Sequence, residues 1–152
     1  MTEIKINFGC GGNILEGWTN VDAEVDITKP LPYADNTVDF ILAEHICEHV
    51  TGPQFLRFLD ECHRILKSTG TLRICMPVIV GNSTELCYEH ARDLVLNHGH
   101  QAAYMPRLIH QFILLAGFRA CEESPKKEID GHWRAIGQMK DRMETYRCEA
   151  VK

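Results

Sequence analysis

The chain has 152 residues, of which 45% are hydrophobic and 24% are charged, a composition that fits one globular domain spanning residues 1–152. Its 16 basic and 21 acidic residues give a net charge of −5, which disfavours a nucleic-acid partner. The sequence has no run of about 18 apolar residues and no apolar signal segment, so we predict a cytoplasmic protein that has no membrane partner.

The first half of the chain shows short apolar or alternating runs that predict strands. These runs cover residues 4–8, 18–22 and 38–43, with a brief third strand at 26–27. Only residues 13–17 separate the glycine turn at residues 9–12 from the second strand, which leaves space for barely one helical turn.

The second half continues the alternation of strands and helices. Apolar residues recur at helical spacing from Phe55 to Leu66, after Thr51 and Pro53 as start signals, and Gly70 is expected to stop this helix. The later elements are a strand over 71–76, helices from Ser83 or Thr84 to 97 and over 106–116, and closing strands over 118–122 and 146–151. We therefore predict an α/β fold with a doubly wound, mostly parallel sheet.

Seven cysteines lie at positions 10, 47, 62, 75, 87, 121 and 148. They form no C-x-x-C pair, and several fall within apolar runs. We expect reduced thiols that serve as small core side chains, with no disulfide and no metal site.

Unusual polar residues cluster where the predicted parallel strands end. Gly9, Gly11 and Gly12 follow the first strand, where glycine permits positive φ and close approach of a ligand to the backbone. Asp22 ends the second strand and can accept both hydroxyls of a ribose. Together they predict a site for a nucleoside-bearing cofactor, although a tight turn without ligand and a solvated strand end are the simpler readings of each alone.

Five ordered segments resemble the small class I S-adenosylmethionine-dependent methyltransferases of the type 11 kind. They are NFGCGG over 7–12, NVD over 20–22, Asp26 ahead of PLPYADNTVD over 30–39, AEHICEH over 43–49 and ECHRILKSTGTL over 61–72. The resemblance implies a Rossmann-like fold and transfer of a methyl group from S-adenosylmethionine to an unidentified acceptor, with S-adenosylhomocysteine as product. We expect the acceptor to be a small molecule.

The resemblance also implies roles for individual residues. The turn would wrap the methionine part of the cofactor, Asp22 would hold the ribose, Asp26 would accept from the adenine amino group, and Glu44 would border the methyl group. The implied cofactor-binding residues are Phe8, Gly9, Cys10, Gly11, Gly12, Asp22, Asp26, Ile27, Leu31 and Glu44. If the acceptor needs a general base, the candidates are His45, His49 and His98, with His100 also considered.

The chain departs from the family pattern in its first third. The first helix is shortened, no N-terminal cap precedes the first strand, and Asn7 stands where many relatives carry an acid. We therefore expect that a second copy or a partner subunit covers an open cofactor cleft.

Two other interpretations remain open, and a third is disfavoured. The domain could be a catalytically silent methyltransferase-like binding or partner module. A dinucleotide-dependent oxidoreductase is a second alternative, but Ile14 breaks the G-x-G-x-x-G order. His45, Glu48 and His49 spell H-x-x-E-H, a zinc-peptidase signature, but the helix available for it is very short, and His49 has packing in the turn before Thr51 as its simpler role.

Overall fold

The fold is an α/β sheet, seen in a computed structural model that describes residues 3–78, 92, 99–123 and 145–152. The described strands are β1 (Lys5–Phe8), β2 (Thr19–Val21), β3 (Val38–Glu44), β4 (Leu66–Pro77), β5 (Ala120–Glu123) and β6 (Thr145–Val151). They form one sheet in the order β2-β1-β3-β4-β6-β5. The first four strands pair in parallel, and β6 is antiparallel to both of its neighbours. The predicted α/β class with a mostly parallel sheet is confirmed.

Two of the described helices pack on the sheet, and both were predicted. Helix α1 (Gly52–Ile65) has Thr51 as its N-cap residue, and the backbone N–H of Thr51 donates to Gln54 Oε1 at 2.8 Å. Its buried face carries the apolar residues of the helical repeat. Helix α2 (Pro106–Leu115) contributes Ile109 and Ile113 to the same core. No helix among the described residues is long and apolar enough to cross a membrane.

The two faces of the sheet differ in polarity. On the helix-bearing face, Ile6, Ile41 and Leu72 join the main hydrophobic core. Because side chains alternate along a strand, Asn7 and Arg73 lie on the opposite face, where both are buried. Arg73 donates to Glu149 of β6, its register partner, so this face holds a paired charge.

Two predicted boundaries were wrong. Helix α1 ends at Ile65, and Gly70 lies within β4, where an added Cβ would sit 2.8 Å from Leu66 Cδ2. Residues 26–27 form no strand, because Asp26 Oδ1 accepts hydrogen bonds from both the backbone N–H and the hydroxyl of Thr28. Such a local bond competes with strand pairing.

The remaining predicted elements divide into confirmed ones and ones outside the described residues. Residues 13–17 form turns and no helix, and β5 and β6 are the two closing strands. The helix predicted up to residue 97 lies outside the described residues, apart from Arg92, which is helical. The described cysteines are Cys10, Cys47, Cys62, Cys75, Cys121 and Cys148, and all are free thiols and buried.

Candidate functional site

The sheet register brings three predicted site residues to neighbouring positions at one edge. Phe8, the last residue of β1, is paired with Val21 of β2 and with Ala43 of β3. The next residue on each strand is therefore Gly9, Asp22 or Glu44. Because parallel strands end at the same edge of a sheet, the glycine turn is flanked by one carboxylate on each side.

The glycine turn is crowded at Gly9 and open at Gly11 and Gly12. Gly9 has φ +67°, and a Cβ there would lie 3.0 Å from Ile46 Cβ. Gly11 has φ +48°, and no atom of the described residues lies within 4 Å of a Cβ added at Gly11 or Gly12. Between them Cys10 is buried, and its N–H donates to Val21 O at 3.1 Å. The backbone of Gly11 and Gly12 is therefore exposed to space that a ligand can fill.

The amide side chains of Asn7 and Asn20 fix the short connection between β1 and β2. Asn7 Nδ2 donates to Asn20 Oδ1 at 2.9 Å and to Asn13 O at 3.0 Å. Asn20 also bonds the backbone of Leu15 and Trp18. The sequence analysis noticed Asn7 but missed Asn20, because the two side chains meet only when β1 and β2 pair. Asn7 Oδ1 is buried and has no hydrogen-bond partner among the described residues.

Asp22 and Asp26 are both exposed beyond β2. The carbonyl oxygen of Asp22 accepts from Val25 N at 3.2 Å, which begins the turn leading to Asp26. The hydrogen bonds from the side chain and backbone of Thr28 lower the pKa of Asp26. One of its carboxylate oxygens, Oδ1, is therefore occupied by this turn, and Oδ2 is the oxygen that remains for a ligand.

Three of the apolar residues assigned to the cofactor lie in the core. Phe8 is fully buried, and its ring meets the rings of Phe58 and Tyr33 edge-on at 5.6 and 6.2 Å. Ile27 and Leu31 are 6 and 3% exposed. Their side chains thus build the floor of this region, and little of their surface is left for a ligand.

An ion-pair network fixes the loop that carries Leu31. Glu61 Oε2 accepts from Leu31 N at 2.7 Å, while Arg64 donates to the carbonyl oxygens of Leu31 and Tyr33. Arg64 also pairs with Glu61 and Asp35. The hydrogen bond from Arg64 lowers the pKa of Glu61.

A family model described as "Methyltransferase domain" matches residues 13–74, the segment that begins directly after the glycine turn and ends within β4. No curated protein matches the sequence. The resemblance to class I methyltransferases is confirmed. Solved structures with 11–16% identity extend the fold match over the whole chain. A methyltransferase from Archaeoglobus fulgidus matches with 16% identity and a TM-score of 0.65, covering 99% of this chain and 86% of that one.

Two further structures share this fold. A chain in the complex of the Haloferax volcanii Trm112 methyltransferase activator with a methyltransferase has 11% identity and a TM-score of 0.62, covering 99% of this chain and 82% of that one. The Haemonchus contortus phosphoethanolamine N-methyltransferase 2, bound to phosphomonomethylethanolamine and S-adenosylhomocysteine, has 13% identity and a TM-score of 0.66, covering 100% and 49%. The Rossmann-like methyltransferase fold predicted from the sequence is thereby confirmed.

In this methyltransferase-fold domain, Glu44 is the last residue of β3 and His45 follows it at the edge of the sheet. Glu44 is buried and His45 is half-buried. His45 has φ +50°, which is uncommon for a residue other than glycine and recurs at functional sites. Its Nδ1 lies 3.2 Å from Glu48 Oε1, so the imidazole is oriented by a buried carboxylate.

The other predicted bases lie on different segments. His49 is exposed on the 3₁₀ turn Cys47–His49, and its ring meets that of His100 edge-on at 4.9 Å. His98 lies outside the described residues. Burial raises the pKa of the neighbouring Cys47 thiol well above its usual range, so Cys47 remains protonated and acts as a core residue.

Proposed function

We propose that the domain transfers a methyl group from S-adenosylmethionine to a small-molecule acceptor. The observation that supports this most is the register of the sheet edge, where the glycine turn lies between Asp22 and Glu44. The family match and the fold favour the same cofactor. The acidic net charge favours a small molecule over a nucleic acid as acceptor.

The residues at this edge of the sheet fit the chemistry of the cofactor. Exposed backbone at Gly11 and Gly12 faces open space, which suits the close approach of the methionine part. Asp22 is exposed and would accept the two ribose hydroxyls. Asp26 would accept the adenine amino group through Oδ2, since Thr28 occupies Oδ1. The backbone of Phe8 and Cys10, together with the edges of Ile27 and Leu31, would complete the site, and Glu44 would border the methyl group.

The bound cofactor supplies a methyl group on a positively charged sulfur, which makes that carbon an electrophile. An acceptor oxygen or nitrogen loses a proton when it takes up the methyl group. We propose His45 as the base that accepts this proton, because Glu48 would take the Nδ1 proton as a hydrogen bond and leave Nε2 free to accept. His49 and His98 stay the alternative candidates.

The formation of S-adenosylhomocysteine in the presence of hydroxyl, amine and thiol acceptors tests this proposal. With an acceptor found by this screen, His45→Gln should lower the rate by about 10²–10⁴-fold and leave cofactor affinity unchanged. His110→Gln, on α2, is the control. Cofactor binding without turnover on any acceptor would favour the silent binding module, and absence of binding would refute both.

We further propose that a second copy or a partner subunit covers the open turn. The Haloferax volcanii structure is a complex with an activator, and this domain exposes the apolar side chain of Ile14, 66% exposed, just after the glycine turn. Sedimentation of the purified chain should show a dimer that Ile14→Glu dissociates. A monomer at high concentration would exclude the homodimer and leave the partner subunit.

A further inference from the structure

Glu48, His49 and His100 form a compact group of potential metal ligands. One ligand atom from each residue lies within 4.8 Å of the other two. Glu48 is 1% exposed and His100 is 8% exposed, whereas His49 reaches the surface. Two imidazoles and one carboxylate are the donor types that zinc prefers.

The backbone of two distant segments holds this group together. The 3₁₀ turn Cys47–His49 presents Glu48 and His49 from consecutive positions. The carbonyl oxygen of Glu48 accepts the N–H of Gln101 at 2.8 Å and that of Ala102 at 3.3 Å. These bonds fix the segment after His100 against the turn, so His100 and His49 are neighbours through backbone geometry.

The charge of Glu48 points to a cation. Its Oε1 lies 3.2 Å from His45 Nδ1, but its Oε2 is buried and has no hydrogen-bond partner among the described residues. A buried carboxylate oxygen that is left unpaired is costly, and a coordinated cation removes this cost. The unpaired oxygen is an observation independent of the clustering of the three residues.

We propose that Glu48, His49 and His100 bind one divalent cation of the zinc class. Tetrahedral zinc with bonds of about 2.0–2.1 Å needs ligand atoms about 3.3 Å apart. The three ligand atoms already lie within 4.8 Å of one another, so small rotations of the three side chains would bring them to this spacing. Three protein ligands leave one coordination position open. Binding of the acceptor oxygen at that position is a role that rests on the proposed function, whereas binding of the metal does not.

This proposal replaces the sequence expectation of no metal site. The H-x-x-E-H pattern suggested His45 and His49 as a pair on one helix. In the structure His45 contacts Glu48 instead, and His100 takes the place of the second imidazole ligand.

Calorimetric titration of the chelator-treated protein with Zn²⁺ tests the site. We expect one Zn²⁺ per chain, and we expect His49→Gln and His100→Gln each to weaken binding at least about tenfold. His110→Gln on α2 is the matched control and should bind as the wild type does. Absence of Zn²⁺ binding to the wild type, or unchanged affinity in both site variants, would overturn the proposal.

Two further measurements keep the test decisive. His49 is exposed, so His49→Gln should keep the circular dichroism spectrum of the wild type even if His100→Gln unfolds. With Co²⁺ as the probe, the wild type should show visible absorption bands that His49→Gln loses; bands that persist in this variant would assign the metal to other ligands. Because no methyl transfer is measured, failure of the proposed function would not alter either result.

Discussion

Alanine at each glycine of the turn should give a graded loss of stability. Gly12 has open space around its Cβ position and no positive φ, so Gly12→Ala should change the free energy of unfolding by less than about 0.5 kcal/mol. Gly11 is open but has φ +48°, so Gly11→Ala should cost about 1–2 kcal/mol. Gly9 combines φ +67° with contacts of 3.0 and 3.2 Å to Ile46. Overpacking adds about 1–3 kcal/mol to this cost, which brings Gly9→Ala to about 2–5 kcal/mol.

Urea unfolding of the three variants measures this series directly. Adding Ile46→Ala to Gly9→Ala should recover only part of the loss, because it removes the Cδ1 contact at 3.2 Å but keeps the Cβ contact at 3.0 Å. A coupling energy of about 0.5–1.5 kcal/mol is expected. Equal losses at Gly9 and Gly12, or no coupling with Ile46, would refute the described geometry of the turn.

Three further changes test how the site is supported. Arg64→Ala removes the ion pairs and carbonyl contacts that fix the 31–35 loop, and it should lower the free energy of unfolding by about 1–3 kcal/mol. The control Arg57→Ala, at an exposed position, should change the free energy of unfolding little. Equal effects of the two substitutions would contradict this prediction. The folded-state pKa of Glu61 is lowered, so the Glu61 carboxylate stabilises the fold fully above its ordinary pKa of 4.5, and this stabilisation is lost as the pH falls through the lower folded pKa. The melting temperature should therefore fall less steeply below pH 5 in Glu61→Gln than in the wild type. Parallel profiles of melting temperature against pH would refute this prediction. Asn7→Asp replaces the buried donor to Asn20 by an acceptor, and it should cost at least about 3 kcal/mol in urea unfolding; wild-type stability would show that the amide pair is dispensable.

The strands and helices that define the fold were predictable because each buries a periodic apolar face. Helix α1 followed from the spacing of Phe55 to Ile65, and β1 and β3 from short apolar runs bounded by turn residues. The end of α1 was misjudged, because Gly70 can also lie in a strand where neighbouring atoms leave no space for a Cβ. Propensity alone does not distinguish these two uses of glycine.

The site was predictable only where it follows directly from strand ends. Gly9 and Asp22 come immediately after strands and Glu44 ends β3, so the parallel register aligned them as expected. The Asn7–Asn20 pair and the approach of His100 to Glu48 depend on side chains from different segments. No periodic pattern in the sequence records such contacts, and for this reason they emerged only from the structure.

The central claim is that the edge holding Gly9–Gly12, Asp22 and Glu44 binds one S-adenosyl ligand. Calorimetric titration with S-adenosylhomocysteine tests it most directly, using the wild type, Asp22→Asn and the exposed control Asp60→Asn on α1. We predict that one ligand binds per chain. The affinity should be at least about tenfold lower for Asp22→Asn, since a hydrogen bond to a charged group is worth about 1.5–3 kcal/mol. The affinity of Asp60→Asn should equal that of the wild type. Absence of binding to the folded wild type at millimolar ligand, or equal affinity for Asp22→Asn, would contradict the account.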